Sequence, residues 1–195
     1  MARNEVILNR PLGAGVWLWK PHIVLHALRH EMSGDDVLFY ADSGCHFVGP
    51  VKPVVDICLE QTSKPLVMFH LGPSFTNAKY TKRDCFIYMD LDRPPYPEMP
   101  QILASFFLCR KNEFTIAFFE EWLRYAEDQR LLTEAANTCG LPNYPDFVGH
   151  RFDQSILSLL ARKYGVTAVP DISQWGNELR QADIPQIIDH TRWKE

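Results

Sequence analysis

Short apolar runs alternate along the chain with longer segments of helical periodicity. Continuous apolar runs rich in β-branched and aromatic residues predict strands that are buried on both faces. A first helix is predicted from Pro21, since proline suits the first helical turn, and it is expected to stop at Ser33 and Gly34. The predicted strands span residues 37–40, 66–70 and 102–109.

Four further helices are predicted from apolar stripes and capping residues. Asn112 is expected to cap the longest of them, and Gly165 to end the last in the left-handed conformation. Strands alternating with helices predict a single α/β domain over residues 1–195, onto which Trp175 and Trp193 are expected to pack. The four helices are predicted at residues 53–61, 81–89 with Thr81 as the cap, 113–126 and 153–164.

Composition and charge exclude several classes of protein. Hydrophobic residues make up 46% of the 195, which is enough for a globular core. The 20 basic residues are outnumbered by 24 acidic ones, so no polycationic surface for nucleic acid is expected. Five scattered cysteines without a CxxC motif predict free thiols in a reducing, cytoplasmic compartment. No apolar run reaches the ~20 residues of a membrane span, so no transmembrane segment is expected.

Asp42 follows a predicted buried strand and precedes a turn at Gly44. In open α/β sheets, ligands bind beyond the carboxyl ends of strands, where a carboxylate can hold a hard cation. Lys20 lies just before the helix predicted from Pro21, where it adds positive charge for anionic oxygens. A strand-end aspartate is as typical of a turn as of a ligand, so both interpretations stay open.

A second cluster of polar residues lies at the predicted start of the last helix. His150, Arg151, Asp153 and Gln154 place an imidazole, a guanidinium, a carboxylate and an amide within five positions. Asp153 is the first candidate for a general base, and His150 is the second. The alternative for Asp153 is a helix N-cap, a position where aspartate is favoured, and the two roles are compatible.

Together, five stretches resemble the signature of small GT-A-type nucleotide-sugar glycosyltransferases, found in bacterial polysaccharide loci and in a chlorovirus. They occur in the expected order between residues 13 and 165. The stretches are GAGVWLWKP at 13–21 paired with YADSGC at 40–45, YTKRD at 80–84, QILASFF at 101–107, RKN at 110–112 and GHRFDQS at 149–155.

The resemblance implies a single-domain α/β/α sandwich with a mostly parallel central sheet. It implies transfer of a sugar from a nucleoside-diphosphate sugar, UDP-linked, to a hydroxyl of a glycan or lipid-linked saccharide. Through that acceptor, the cytoplasmic protein would lie at the periphery of a membrane. The implied donor-binding residues are Gly15, Trp17, Lys20, Asp42 and Gly44, the acceptor-side residues are Lys82, Ser105, Arg151 and Gln154, and the catalytic ones are Asp153 and His150.

Several of these residues have structural alternatives. Trp17 is expected either in the core or stacked on a base or sugar, and Ser105 either as a core serine or on the sugar site. Lys82, together with Arg83 and Asp84, is either an exposed charge or an acceptor-side group. Each alternative makes a different prediction about burial, which the structure can address.

This chain departs from the family pattern in two places. Gly44 stands where a DxD element has its second acid, so Mn²⁺ or Mg²⁺ is expected on Asp42, with a cation-independent variant relying on Lys20 as the alternative. Twelve residues precede Gly13, whereas the family has a further nucleotide-binding strand there. We therefore expect a second copy, another chain or a rearranged N-terminal segment to cover the exposed sheet edge.

Two other classes of function compete with transfer. A non-catalytic module that binds a sugar or a partner glycosyltransferase would release no sugar from any nucleotide sugar. A hydrolase using a pair of carboxylates would cleave glycosides without any nucleotide.

Overall fold

The computed structural model describes residues 4–34, 36–173 and 185–190 of the chain. Trp175 and Trp193 lie outside these residues. The strands in the described part are β1 (Val37–Ala41), β2 (His46–Phe47), β3 (Leu66–His70), β4 (Phe106–Arg110), β5 (Thr167–Pro170) and β6 (Ile188–Asp189). The helices are α1 (Glu5–Leu8), α2 (Gly13–Val16), α3 (Trp19–His30), α4 (Lys52–Glu60), α5 (Asn77–Tyr80), α6 (Arg83–Tyr88), α7 (Glu113–Ala126), α8 (Gln129–Leu132) and α9 (Phe152–Tyr164).

A mixed sheet of four strands, in the order β1-β4-β3-β5, lies at the centre of the fold. Strand β4 is antiparallel to both of its neighbours, and only β3 and β5 run parallel. The expected mostly parallel sheet is therefore wrong. Continuous apolar runs mark strands that are buried on both faces, but they carry no information about strand direction. A small second sheet pairs β2 with β6.

The two faces of the central sheet are covered by different helices. Alternation along β4 directs Phe107 and Cys109 into the apolar cluster that contains α3, α7 and α9. It directs Phe106 and Leu108 into a second cluster, which contains α4. The described chain is therefore an α/β structure in which helices pack on both sides of one mixed sheet.

Most predicted elements form near the predicted positions. Asn112 caps α7 through a reciprocal capping box with Thr115, and Gly165 ends α9 in the left-handed region. The helix predicted from Thr81 begins instead at Arg83, because the buried Thr81 hydroxyl accepts a hydrogen bond from the Gln101 side chain.

The strand predicted at residues 102–109 begins only at Phe106. Before it, Ile102 makes an isolated bridge with His70, and its backbone N–H donates to the Ser158 hydroxyl. Residues 104 and 105 then bend. This bend is why β4 begins at Phe106 and does not include the first residues of the apolar run.

Several expectations about the surface and the cysteines can be compared with the described residues. All five cysteines lie in the described ranges and are free thiols. Within those ranges, no helix is both long and apolar enough to cross a membrane. Residues 5–8 form α1 rather than a strand, and no described strand pairs with β1 on the side away from β4. Coverage of that edge by another chain stays a prediction.

Candidate functional site

A cavity of about 360 Å³ opens where β1 ends and both β4 and α9 begin. Eight of its twelve lining residues are candidates from the sequence, although they come from four separate parts of the chain. A second cavity, of about 560 Å³, lies beside α1 and α8 and contains none of the candidates. The first is lined by Trp17, Lys20, Asp42, Leu103, Ala104, Ser105, His150, Arg151, Phe152, Asp153, Gln154 and His190.

Asp42 reaches the cavity because β1 and β4 run antiparallel. Ala41 pairs with Phe106, so the next residue of β1 meets the residue before β4. The backbone N–H of Asp42 donates to the Ser105 carbonyl at 2.8 Å. Tyr40, two positions earlier and on the same face of the strand, donates its hydroxyl to Asp42 Oδ1 at 2.8 Å. This contact fixes the orientation of the carboxylate.

The ammonium of Lys20 lies between two carboxylates. Lys20 is 4% exposed, and its Nζ lies 3.1 Å from Asp42 Oδ1 and 3.3 Å from Asp153 Oδ2. It also donates to the Ala104 carbonyl at 3.3 Å. Buried charges need such partners, since an isolated ammonium would lose its hydration without compensation. The three charged groups therefore form one connected cluster.

Asp153 is a buried carboxylate whose Oδ2 is ion-paired with Lys20. It is 4% exposed, and Oδ2 accepts no well-aligned hydrogen bond from any described residue. Burial raises the pKa of Asp153 to about 6, the Lys20 ammonium opposes this, and the Asp42 charge adds to it. The side chain does not cap α9: Arg151 occupies the N-cap, and no side chain makes a capping hydrogen bond there. The N-cap alternative is therefore wrong.

His150 is poorly arranged to act as a base. Its Nδ1 accepts a hydrogen bond from the Lys82 backbone N–H at 3.4 Å, which assigns the proton of the neutral ring to Nε2. Nε2 is buried and has no hydrogen-bond partner among the described residues. Burial, together with the Lys82 ammonium, lowers the pKa of His150 to about 3. The imidazole is thus neutral near pH 7, and its only lone pair is already used.

Trp17 reaches the cavity through an unusual backbone. Residues 13–17 all have positive φ values, between 49° and 93°, so this stretch turns in the left-handed sense. A Cβ on Gly13 would lie 2.5 Å from the Trp17 ring, and one on Gly15 would lie 3.0 Å from Leu8 Cα. The Trp17 ring centroid lies 5.5 Å from that of Phe152, another residue with positive φ. Strained residues of this kind concentrate at functional sites.

Three of the predicted site residues do not line the cavity. Lys82 is 2% exposed, and its ammonium donates to the Ala135 carbonyl at 2.6 Å and pairs with Asp84 at 3.4 Å. The exposed alternative for Lys82 and Asp84 is therefore wrong. Gly44 lies in the exposed turn after β1, and Gly15 is buried against Leu8. Gly15 can act on the site only by shaping the backbone that carries Trp17.

The Mn²⁺ or Mg²⁺ expected on Asp42 does not fit while Lys20 keeps its observed position. Both oxygens of Asp42 contact the Lys20 ammonium, which also pairs with Asp153. A divalent ion could enter only if Lys20 moved away. Elsewhere in the described ranges, no group of three His, Cys, Asp or Glu side chains could hold a metal.

The site has contributors that were not predicted from the sequence: the lining residues Leu103, Ala104, Phe152 and His190, and the supporting residues Tyr40 and Gln101. Tyr40 could have been found, because strand alternation places it on the same face as Asp42. Gln101 lies outside the cavity lining and accepts hydrogen bonds from Arg151 and Gln154 through its Oε1. His190 forms part of the wall, with its ring 6.3 Å from that of Phe106. No local sequence pattern connects Gln101 or His190 to the cavity.

No family model, no curated protein and no solved structure gives a significant match to this chain. The resemblance of the five stretches therefore stays a prediction. The cavity and its charged groups are the chain's own indications of function.

Proposed function

We propose that this protein transfers a sugar from a nucleoside-diphosphate sugar, UDP-linked, to a hydroxyl of a glycan or lipid-linked saccharide. One observation carries the proposal: Lys20, Asp42 and Asp153, far apart in sequence, form a single ion-paired cluster on the wall of a cavity. A base and a cation in contact provide the two kinds of group that such a transfer requires.

The proposed step forms one bond and breaks another at the anomeric carbon. The acceptor oxygen bonds to that carbon while the bond to the diphosphate oxygen breaks, and the electron pair of that bond stays on the diphosphate. The acceptor's proton passes to Asp153 Oδ2, which accepts no well-aligned hydrogen bond from the described residues. With a pKa of about 6, Asp153 is ionised near pH 7 yet retains affinity for a proton.

Lys20 is the cation of this scheme. Its ammonium stabilises the charge that develops on the departing diphosphate, as positioned cations do in phosphoryl and glycosyl chemistry. Asp42, fixed by the Tyr40 hydroxyl, holds the ammonium in place. A Mn²⁺ or Mg²⁺ ion would add Lewis-acid stabilisation at the diphosphate if one entered beside Asp42. No step above depends on it.

The dimensions of the cavity match a saccharide better than a complete donor. Its volume of about 360 Å³ lies near the lower end of the roughly 300–1,000 Å³ that is usual for small-molecule sites. Trp17 and Phe152 supply apolar ring surface in the wall. In this scheme, the transferred sugar and the acceptor hydroxyl occupy the cavity, and the nucleotide extends beyond it.

The proposal is tested by measuring UDP release from a panel of UDP-sugars with and without saccharide acceptors. Asp153→Asn should abolish most acceptor-dependent release, whereas Asp56→Asn, at an exposed carboxylate on α4, should retain it. UDP binding without release from any donor would contradict transfer and favour the binding module. Cleavage of simple glycosides without nucleotide would instead favour the hydrolase.

A further inference from the structure

The guanidinium of Arg151 lines the same cavity but has no carboxylate partner among the described residues. Its one hydrogen bond runs from Nη1 to Gln101 Oε1 at 3.3 Å. A guanidinium carries five N–H donors, so most of its donating capacity is unused. Burial lowers the pKa of Arg151, and the Tyr80 phenol opposes this effect. The group remains charged, because an arginine stays protonated in proteins.

Other arginines in the described ranges show what pairing looks like in this protein. Arg83 pairs with Asp92 at 2.8 Å, and Arg130 pairs with Asp128 at 2.6 Å. Arg162, on the same helix as Arg151, donates twice to the Pro100 carbonyl and lies outside the cavity. Arg151 combines a position on the cavity wall with a charge that no carboxylate in the described ranges compensates within ion-pair distance.

Arg151 is held in a fixed position by aromatic and amide groups. Its Cζ lies 3.7 Å from the Tyr80 ring centroid and 5.6 Å from that of Phe75. The two rings stack on each other with centroids 5.8 Å apart. Gln101 Oε1 accepts from both Arg151 and Gln154, and thereby fixes the edge of the guanidinium. A planar fork held this way is preorganised for bidentate contact with a carboxylate or phosphate.

The position of Arg151 relates it to the proposed base. Arg151 caps α9 and Asp153 lies in its first turn, so the two side chains leave the same helix end. Burial, the Lys20 ammonium and the Asp42 charge act on the pKa of Asp153, whereas burial and the Tyr80 phenol act on that of Arg151. The cavity thus has a carboxylate–ammonium cluster and a separate, uncompensated guanidinium.

We propose that Arg151 binds an anionic group, a carboxylate or a phosphate, on the saccharide acceptor. The assignment to the acceptor rests on the proposed function, because it takes Asp153 as the group that the acceptor hydroxyl reaches. The recognition of an anionic saccharide by Arg151 does not depend on transfer. The acceptor class is therefore an acidic sugar, such as a uronic acid, or a sugar phosphate.

The test compares charged and neutral saccharides in a binding assay that needs no turnover. Calorimetry with methyl glucuronide, glucose 6-phosphate and neutral methyl glucoside measures the preference for each anionic group. The wild-type protein should bind at least one charged sugar about tenfold or more tightly than the neutral one. Arg151→Met should remove this preference, and Arg151→Lys should retain part of it.

The control is Arg124→Gln. Arg124 also stacks on a tyrosine, with Cζ 4.2 Å from the Tyr125 ring, but it pairs with Glu121 and lines the second cavity instead of this one. This variant should keep the wild-type preference. An equal affinity of the wild-type protein for charged and neutral sugars would overturn the inference, and so would an unchanged preference in Arg151→Met. If Arg151→Met does not fold, the wild-type preference and Arg151→Lys still decide.

Two further outcomes separate this inference from the proposed function. A charge preference that depends on Arg151, without transfer from any UDP-sugar, would sustain anion binding and contradict transferase activity. If Arg151→Met weakens UDP binding but leaves saccharide binding unchanged, the guanidinium belongs to the donor side and the acceptor assignment is wrong.

Discussion

Replacing Asp153 by asparagine removes a buried negative charge and preserves the size of the side chain. Burial raises the pKa of Asp153 from the ordinary 3.8 to about 6. The native protein therefore binds this proton more tightly than the unfolded chain does, and the free energy of unfolding falls as the pH rises between these values. Above pH 6, the ionised carboxylate costs about 3 kcal/mol of stability.

Asp153→Asn should therefore be more stable than the wild-type protein at pH 7, by up to about 3 kcal/mol. For a chain of this length, that corresponds to a rise in melting temperature of roughly 6–12 °C. The difference should largely vanish near pH 4, where the wild-type carboxyl group is itself mostly neutral in the folded state. Thermal unfolding followed by circular dichroism at both pH values measures the effect.

The same substitution should lower the rate of transfer by about 100-fold or more, since asparagine cannot accept the acceptor's proton. In the wild-type protein, the rate should rise with pH around a midpoint near 6, the pKa of Asp153. A base with the pKa of His150, about 3, would instead give a rate that is independent of pH above 4. The pH profile thus distinguishes the two candidates.

Asp56→Asn is the matched control, because that carboxylate is exposed and pairs with Lys52 on the surface. It should leave both the melting temperature and the rate nearly unchanged. An Asp153→Asn variant that melts below the wild-type protein at pH 7, yet transfers sugar at the wild-type rate, would refute both the electrostatic assignment and the proposed base.

Three other substitutions test separate features of the site. Lys20→Met leaves Asp42 and Asp153 without their counterion, so it should lower the free energy of unfolding by about 3 kcal/mol or more. Mn²⁺ should then raise the melting temperature of this variant more than that of the wild-type protein or of the surface variant Lys52→Met. An equal rise in all three proteins would contradict the role given to Lys20. Asp84→Asn should lower the free energy of unfolding in urea by about 2 kcal/mol, because Asp84 accepts from the Thr138 and Cys139 amides. Burial raises the pKa of Asp84, but these amides and Lys82 outweigh it and keep that pKa below 3.8. The stabilisation by Asp84 should therefore be present above pH 3.8 and be lost only in stronger acid. An Asp84→Asn variant with the wild-type urea midpoint would contradict this role. In Gly13→Ala, the new Cβ would lie 2.5 Å from the Trp17 ring, so the variant should lose roughly 1–3 kcal/mol of stability and bind saccharide more weakly. Gly34→Ala, with open space around the new Cβ, should show neither change. Equal losses of stability and binding in the two variants would contradict the role given to Gly13.

Sequence patterns predicted the five longer helices of the described chain, because their signals are local, but not the four-residue helices α1, α2, α5 and α8. The capping residue Asn112 and the terminating Gly165 each act within a few positions of the helix ends that they define. The direction of β4 has no such local signal, since an apolar strand buried on both faces looks the same in either direction. The antiparallel pairing of β1 with β4 was therefore missed, although it is what places Ser105 beside Asp42.

The residues of the ion-paired cluster could be predicted from the sequence, but the contacts between them could not. Lys20, Asp42 and Asp153 were each identified from residue type and position, and the structure brings them into contact. The burial that raises the pKa of Asp153 depends on packing by several helices and strands, so the residues next to Asp153 in the sequence do not predict it. Gln101 acts across about fifty positions on Arg151 and Gln154, a distance at which a single sequence gives no pairing signal.

The left-handed segment at residues 13–17 has a consequence for local opening. Ala14, Val16 and Trp17 have side chains that disfavour this conformation by about 1–2 kcal/mol each, so the segment holds several kcal/mol that opening would release. Its amides should therefore exchange with solvent through local opening, faster than those of α7 or α9. A ligand seated against Trp17 must keep the segment closed, so occupation of the cavity should slow hydrogen exchange at residues 13–17 before it changes any rate elsewhere in the chain.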